Sequence, residues 1–302
     1  MNENLEAEKQ IIEAHHAKGY KCLSIGVPLA GKDVPKLTFS SFLNMYNPLS
    51  MIDLLVKNKI MSMVKIVSTF PMDANRNEFA KNAIEAGVDY LLWLDMDQTF
   101  PADAITNLFE VISDERPIVG GMYYLKKEPY APVLGRYVDW EESSLPHKEY
   151  YEQKGYVHSD GRPLMSWRPI TFFDKTNPFQ VDVIGLGCVL MKTSVFKDLT
   201  YPYFSYTQDP RPGQEYRQMD EVMPFCAQLK KLNIPIWIDP RVQCGHLTTL
   251  ETNADLFQAC RDAQFATCAK EDPAQFDKIS KLFIDVREEQ KNGTRFEQVT
   301  VK

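Results

Sequence analysis

The chain has 302 residues, of which 44 % are hydrophobic and 25 % are charged, close to the average for globular proteins. This composition excludes a disordered, collagen-like or low-complexity chain. Acidic residues outnumber Lys and Arg by 41 to 34, which gives a formal charge of −7. Such a balance weighs against sequence-independent binding of nucleic acid, which needs a basic surface.

Helices and strands are expected to alternate along the first part of the chain. Alternation of this kind is typical of an α/β fold, in which a mostly parallel sheet is flanked by helices. Helices are predicted over Leu5–Lys18, Thr38–Asn58 with an interruption near Asn47 and Pro48, Asn75–Ala86 and Ala102–Ile112. Strands are predicted over Lys21–Pro28, Met63–Thr69, Val88–Leu94 and Pro117–Gly121.

A polar and aromatic stretch, Arg136–Asn177, then interrupts this rhythm. An irregular segment of this length inside a domain is usually functional or mobile. Regular structure is predicted to return with a β-rich segment over Gln180–Lys192, a helix over Asp220–Lys231, a strand over Ile234–Ile238 and helices over Thr249–Ser280.

Neither a membrane span nor a secretory leader is predicted. The longest apolar run, near Tyr90–Leu94, is too short to cross a bilayer, and the first ten residues are acidic and polar. None of the six cysteines has C-x-x-C spacing, so we interpret them as small buried hydrophobes in a reducing compartment. We therefore expect a cytoplasmic protein.

Two carboxylates, Asp95 and Asp97, directly follow the apolar run Val88–Leu94. In an open α/β sheet, ligands bind beyond the carboxyl ends of the strands. Residues two apart in an extended segment point the same way, so both carboxylates are expected to face one ion. Such oxygen ligands suit Mg²⁺ or Mn²⁺, and the ion would also neutralise a diphosphate. The structural alternative is that one Asp caps the next helix and the other is solvated.

A polar turn with the sequence Asp-Ala-Asn-Arg-Asn, residues 73–77, follows the strand Met63–Thr69 and opens a helix. A helix N-terminus attracts an anion, and Arg76 can add a second contact to it. The structural alternative is an ordinary helix cap by Asp73 or Asn75, with the arginine at the surface.

Two further signals lie in the last third of the chain. His246 stands beside a glycine after the predicted strand Ile234–Ile238, and an imidazole there can complete an ion site, Mn²⁺ better than Mg²⁺. A lone histidine is otherwise structural. Asp220 and Glu221 open an apolar helix, where the helix dipole alone favours acidic residues. The functional alternative for this pair is a general base that takes a proton from an acceptor hydroxyl.

In this order, the signals resemble a small GT-A-type glycosyltransferase of the kind found in bacteriophages and bacteria. The resemblance runs from roughly Lys21 to Thr248. The segments that carry it are Val27–Gly31 (first strand and nucleotide loop), Ala74–Asn77 ("ARN" turn), Leu94–Asp97 (DxD motif), Val119–Tyr124 (following strand), Gly185–Lys192 (acceptor-side strand), Asp220–Cys226 (acidic helix start), Ile236–Pro240 (last strand) and Cys244–His246 (metal histidine).

The resemblance implies a Rossmann-like GT-A catalytic domain over residues 1–250, with an insert at about 136–178 and a C-terminal helical extension over 251–302. It implies a nucleotide-sugar donor, by default a UDP-sugar, and transfer of the sugar to a glycan, a protein or modified DNA. It also implies Mn²⁺ or Mg²⁺ as cofactor, and the host cytoplasm as location if a bacteriophage encodes the chain.

The same resemblance assigns residues to each role. The donor would contact Val27, Pro28, Gly31, Arg76, Asn77, Asp95 and Gly187, and the metal ion would be held by Asp95, Asp97 and His246. The catalytic base would be Glu221, with Asp220 as the close alternative. The Asp-Glu order departs from the Glu-Asp that is frequent in the family, and Pro224 resembles an inserted residue, so the choice between the two carboxylates stays open.

Three other hypotheses remain. A nucleotidyltransferase would use a similar sheet and carboxylate pair but release pyrophosphate. An inactive sugar- or protein-interaction module would keep the fold without turnover. A narrower form of the main hypothesis is glycosylation of hydroxymethylated bases in DNA, with Lys126, Lys127 and Arg136 as a basic channel.

Overall fold

A computed structural model describes residues 2–28, 34–47, 52, 54, 56–67, 71–126, 130–138, 166–208, 218–248, 251–271 and 284–292. The described helices are α1 (Asn2–His16), α2 (Lys36–Met45), α3 (Met72–Ala86), α4 (Ala104–Val111), α5 (Val222–Lys231), α6 (Ala254–Glu271) and α7 (Arg287–Asn292). The strands are β1 (Lys21–Pro28), β2 (Ile60–Val67), β3 (Tyr90–Leu94), β4 (Gln98–Thr99), β5 (Ile118–Met122), β6 (Leu134–Val138), β7 (Ser166–Phe172), β8 (Phe179–Val181), β9 (Val183–Ile184), β10 (Cys188–Lys192), β11 (Thr207–Gln208), β12 (Gln218–Met219), β13 (Ile236–Gln243), β14 (Gly245–Leu247), β15 (Glu251–Thr252) and β16 (Ile284–Asp285).

A seven-stranded sheet in the order β2-β1-β3-β10-β5-β13-β8 forms the centre of this part of the chain. β1 pairs in parallel with β2 and β3, and β13 pairs in parallel with β5. β10 runs antiparallel between β3 and β5, and β8 runs antiparallel to β13. Strands β1, β2, β3, β5 and β13 therefore share one direction, which confirms the predicted α/β class with a mostly parallel sheet.

Helices cover both faces of this sheet, and β3 shows why its sequence is apolar throughout. Successive side chains of a strand point to opposite faces. Leu91 and Trp93 join a core cluster with Phe79 of α3, whereas Leu92 and Leu94 join a second cluster beneath α2 and α4. Because both faces are covered, every residue of β3 is buried and a continuous apolar run is required.

Several predicted boundaries agree closely with the structure. The first strand has the predicted bounds, and α3 ends at Gly87, whose φ of 82° is the left-handed conformation that glycine adopts at a helix C-terminus. β13, however, continues through Asp239 and Pro240. Its pairing with β5 shifts register between Ile238 and Gln243, so the proline lies where the ladder is interrupted and its missing N–H is tolerated.

The stretch that was expected to be irregular contains regular structure. β6 and β7 pair within it, and the described sheet has the order β16-β7-β6-β9. β16, near the C-terminus, pairs in parallel with β7, and Phe257 of α6 enters the core cluster of α3. The C-terminal segment thus packs against the earlier part of the chain, while the boundary at residue 250 stays a prediction.

Four of the described cysteines, Cys22, Cys188, Cys226 and Cys244, are buried and unpaired by disulfides, as expected of small hydrophobes. None of the described helices has the length and apolarity that a membrane crossing requires.

Candidate functional site

The parallel strands place the predicted site residues at one edge of the sheet. β1 ends at Pro28, β3 ends just before Asp95, and β5 ends shortly before Lys126. The antiparallel β10 begins at this edge, directly after Gly187. The Gly187 carbonyl accepts a hydrogen bond from the Asp95 backbone N–H at 2.9 Å. The carboxyl ends of the strands, where open α/β sheets bind ligands, are therefore the place to look for chemistry.

Arg76, in the second turn of α3, is buried at the centre of an ion cluster. Its side chain is only 4 % exposed. Its Nε donates to Oε1 of Glu221 at 2.9 Å, and its Nη2 donates to Oδ1 of Asp95 at 3.1 Å. The guanidinium also stacks at 5.6 Å from the ring of Trp93. We call Arg76, Asp95 and Glu221 the arginine cluster; it joins α3, the end of β3 and the start of α5.

Burial and charge act in opposite directions in the arginine cluster. Burial lowers the pKa of Arg76, but Asp95 and Glu221 raise it more, so the pKa lies above its usual value and the guanidinium stays charged. Burial raises the pKa of Glu221, Arg76 opposes that effect, and Asp220 reinforces it, so the pKa of Glu221 is raised overall. Glu221 is therefore a more basic carboxylate than a solvated one.

A second group of charges surrounds Asp97. Oδ2 of Asp97 lies 2.6 Å from Nζ of Lys126, and Oδ1 lies 3.5 Å from Nε2 of His246. Burial would raise the pKa of Asp97, but the hydrogen bonds from His246 and Lys126 outweigh it and hold that pKa well below its usual range. We call Asp97, Lys126 and His246 the lysine cluster. Its carboxylate is 45 % exposed, so a ligand can approach it from solvent.

The orientation of His246 fits a cation ligand. Its Nδ1 lies 2.6 Å from the carbonyl oxygen of Tyr124. A carbonyl only accepts, so Nδ1 carries a proton, and Nε2 is the ring nitrogen that faces Asp97. Two electron-rich atoms face each other stably when a cation or a proton stands between them. A carboxylate oxygen and an imidazole nitrogen form a donor pair that suits Mn²⁺.

One carboxylate oxygen of Asp95 is bound by Arg76 rather than by this pair. β3 ends at Leu94, and a turn occupies residues 96 and 97, so the alternation of an extended strand does not apply to the two aspartates. Within the described residues, the donor atoms of Asp95, Asp97 and His246 do not form a group lying within 4.8 Å of one another. The metal contact of Asp95 stays a prediction.

One such group does occur, at the opposite edge of the sheet, in His16, Cys22 and Asp89. The Asp89 carboxylate already accepts from the Cys22 backbone N–H at 2.7 Å and contacts Nε2 of His16 at 2.8 Å. Burial raises the pKa of the Cys22 thiol to about 11, so this cysteine is protonated at neutral pH and a poor metal ligand.

The two acidic residues before α5 have different surroundings. Oδ1 of Asp220 accepts the backbone N–H of Val222 at 3.0 Å, a local bond at the helix start. Glu221 is 6 % exposed and faces Arg76. The hydroxyl of Tyr206 also hydrogen-bonds Glu221, and burial together with the nearby carboxylates raises the pKa of Tyr206 to about 12.

The remaining predicted donor contacts are placed as follows. Val27 and Pro28 are buried at the end of β1, and Gly31 lies outside the described residues. The Asn77 amide is engaged on both sides: Nδ2 donates to the Phe204 carbonyl at 2.6 Å, and Oδ1 accepts from the backbone of residues 203 and 204. Asn77 thus fixes the loop that carries Tyr206.

Gly187 is required for a steric reason. A Cβ at this position would lie 1.8 Å from Nε2 of Gln98, a buried residue of β4. The backbone of residue 187 therefore comes close to the segment that follows Asp97, and its carbonyl fixes Asp95. The donor contacts predicted for Asn77 and Gly187 stay predictions.

Sequence reasoning missed Tyr123. It is buried between the two clusters, and its ring stands edge-on to the ring of His246 at 5.5 Å between centroids. Burial first, then Asp95 and Asp220, raise the pKa of its hydroxyl well above the usual value. Its place directly after β5 was the available signal, because that position is at the carboxyl end of a parallel strand.

The basic channel suggested for DNA is largely neutralised. Lys126 pairs with Asp97, and Arg136 makes two bonds to Glu289 and two to the carbonyl of Gln180. Lys127 lies outside the described residues.

Comparisons with known proteins add little. No family model and no curated protein matches the chain. Among solved structures, the crystal structure of A197 from STIV is 17 % identical over 76 % of this chain and 86 % of its own, with a TM-score of 0.42. An apo UDP-glucose pyrophosphorylase is 5 % identical over 86 % of each chain, with a TM-score of 0.34. Similarities this distant carry no argument, so the fold class rests on the strand order and directions above.

Proposed function

We propose that this chain is a metal-dependent glycosyltransferase, which moves a sugar from a nucleotide-diphosphate sugar to an acceptor hydroxyl. The observation that carries the proposal is the placement of two clusters at one sheet edge. The exposed Asp97–His246 pair suits a cation, and the buried Glu221 with raised pKa suits a base. A UDP-sugar is the default donor because the resembling family usually takes one.

The donor would lie across the carboxyl ends of β1 and β3, beside the first turn of α3. The N-terminus of a helix favours a phosphate. Nη1 of Arg76 is buried and has no hydrogen-bond partner among the described residues, although the other nitrogens bind carboxylates. A buried donor without a partner is costly, so a ligand oxygen that accepts from it would be favoured.

The Asp97–His246 pair would hold Mn²⁺ or Mg²⁺, which when bound would supply Lewis-acid stabilisation to the leaving diphosphate. The protein's own contribution is orientation. The Tyr124 carbonyl fixes the His246 ring, and Tyr123 packs against its face. Asp95 contributes indirectly in this scheme, because its Oδ1 accepts from Arg76 and so holds the guanidinium in place.

Glu221 is the better candidate for the base. In an inverting reaction its carboxylate takes the proton of the acceptor hydroxyl, the hydroxyl oxygen bonds to the anomeric carbon, and the bond to the diphosphate breaks. In a retaining reaction the same carboxylate positions the acceptor. Each carboxylate has one engaged oxygen, Oδ1 of Asp220 at the start of α5 and Oε1 of Glu221 at Arg76, so the preference for Glu221 rests on its raised pKa and Asp220 stays the alternative.

The test is to identify the products. The protein with Mn²⁺ is incubated with UDP-, GDP-, ADP- and CDP-sugars and with glycan, protein, hydroxymethylated DNA or unmodified DNA as acceptor. We expect one donor to release a nucleoside diphosphate, with a loss of about 10²-fold or more in Glu221→Gln and near-normal rates in Asp114→Asn, whose carboxylate is exposed at the far edge. Pyrophosphate release from a nucleoside triphosphate and a sugar phosphate, with no diphosphate from any donor, would contradict the proposal.

A further inference from the structure

Lys126 stands where a divalent cation would approach Asp97. Its ammonium lies 2.6 Å from Oδ2 of Asp97, while His246 contacts the other oxygen of the same carboxylate. The side chains of Lys126 and Asp97 are both partly exposed to solvent, at 41 % and 45 %. The protein's own positive charge therefore occupies one side of the carboxylate to which the metal is assigned.

Two cations cannot share this carboxylate without cost. A divalent ion bound to Asp97 and His246 would stand within a few ångströms of the Lys126 ammonium, and like charges at that range repel. Lysine can respond, because its ammonium is a point charge on a flexible stem of four carbons. Since Lys126 is partly exposed, it can leave Asp97 without unpacking the core.

We propose that Lys126 is an internal competitor for the divalent cation at Asp97, and that the donor's diphosphate receives its ammonium when the cation binds. This inference rests on the proposed function, because it needs both a cation and a diphosphate at this edge. The negative charge of the diphosphate attracts a displaced ammonium, and lysine is a common phosphate ligand.

The consequence is coupling between the two ligands. Without a diphosphate, Mn²⁺ displaces Lys126 from Asp97 and the ammonium gains no new partner, so Mn²⁺ binds weakly. With a diphosphate, the ammonium gains a new partner and Mn²⁺ binds more tightly. Coupling free energies are reciprocal, so Mn²⁺ must strengthen diphosphate binding by the same factor.

The test measures Mn²⁺ affinity without turnover, from the electron paramagnetic resonance signal of free Mn²⁺. Lys126→Met is compared with the unchanged protein, with Asp97→Ala and with Lys81→Met. Lys81 is a matched control, because it is an exposed lysine paired with Glu85 on α3. Without nucleotide, we expect Lys126→Met to bind Mn²⁺ about tenfold more tightly, Lys81→Met to be unchanged, and Asp97→Ala to lose binding.

The second arm repeats the titration with saturating UDP, GDP, ADP or CDP. We expect one nucleotide to tighten Mn²⁺ binding to the unchanged protein, and to tighten it several-fold less in Lys126→Met. If Mn²⁺ binds through Asp97 but Lys126→Met leaves its affinity unchanged or weaker, the competition is overturned and the proposed function stands. If Mn²⁺ binds none of the proteins, with or without nucleotide, the competition and the proposed function are both overturned.

Discussion

The arginine cluster and the lysine cluster lie at the same sheet edge, and a single residue separates Asp95 from Asp97 along the chain, yet the two clusters differ in kind. Arg76 and Glu221 are almost fully buried, whereas Asp97 and Lys126 are nearly half exposed. A buried charge without its partner is strongly destabilising, and an exposed pair contributes little. The first cluster therefore fixes the architecture of the site, and the second is free to exchange partners with a ligand.

The largest expected effect is the loss of stability when a substitution breaks the arginine cluster. Arg76→Met leaves the buried Glu221 and the partly exposed Asp95 without their cation, which should lower the free energy of unfolding by about 3–5 kcal/mol. Urea denaturation measures the change, and Lys81→Met is the control, with an expected change of at most about 0.5 kcal/mol. A loss below about 1 kcal/mol for Arg76→Met would show that the cluster is not the fixed part of the site.

The opposite outcome is expected for the lysine cluster. His246→Gln removes the proposed cation ligand but little packing, so Mn²⁺ affinity should fall by about 100-fold while stability changes by about 1 kcal/mol or less. Calorimetry of Mn²⁺ binding and urea denaturation measure the two effects on the same preparation. Equal Mn²⁺ affinity in the variant and the unchanged protein would show that His246 does not bind the cation.

The pH dependence of stability should distinguish the clusters by sign. The pKa of Glu221 is raised by folding, so its stabilising contribution is complete below its ordinary pKa of about 4.3 and is lost as the pH rises through the higher folded value. The pKa of Asp97 is lowered, so its contribution is present above about 3.9 and is lost as the pH falls towards the folded value.

Stability measured by denaturation from pH 2.5 to 8 tests both signs. Glu221→Gln should abolish the loss of stability that occurs as the pH rises above about 4.3. Asp97→Asn should abolish the gain of stability that occurs as the pH rises towards about 3.9. If stability depends on pH in the same way for Glu221→Gln and the unchanged protein, Glu221 titrates as a solvated carboxylate, in conflict with its burial.

The smallest effect concerns the choice of base. Asp220→Ala removes a hydrogen bond to the backbone at the start of α5, which should cost about 0.5–1 kcal/mol of stability. Sugar transfer should fall far less than in Glu221→Gln. Rates measured side by side decide the choice: a larger loss in Asp220→Ala would make Asp220 the base.

The fold was largely predictable because its signals are local. The apolar run before Asp95 follows from burial on both faces of the sheet, and Gly87 follows from the left-handed end of α3. β13 was predicted too short, because Pro240 normally breaks a ladder and only its pairing with β5 shows the interruption that accommodates it.

The shared location of the candidate residues at one edge of the sheet was predictable from the sequence, but their arrangement was not. Strand ends identified Asp95, Asp97 and His246, yet the turn that separates the two aspartates and the lysine that binds one of them depend on tertiary geometry. The sequence indicated Lys126 only as part of a basic cluster, because spacing along the chain cannot show that its ammonium pairs with Asp97, 29 residues away.

The proposed function depends above all on a cation-dependent diphosphate site at Asp97. Calorimetric titration with UDP, GDP, ADP and CDP, each with and without Mn²⁺, tests it most directly on the unchanged protein and on Asp97→Ala. We expect that one nucleotide binds, that its binding needs Mn²⁺, and that Asp97→Ala abolishes it. Binding of none of the four in the presence of Mn²⁺, or equal binding by Asp97→Ala, would contradict it.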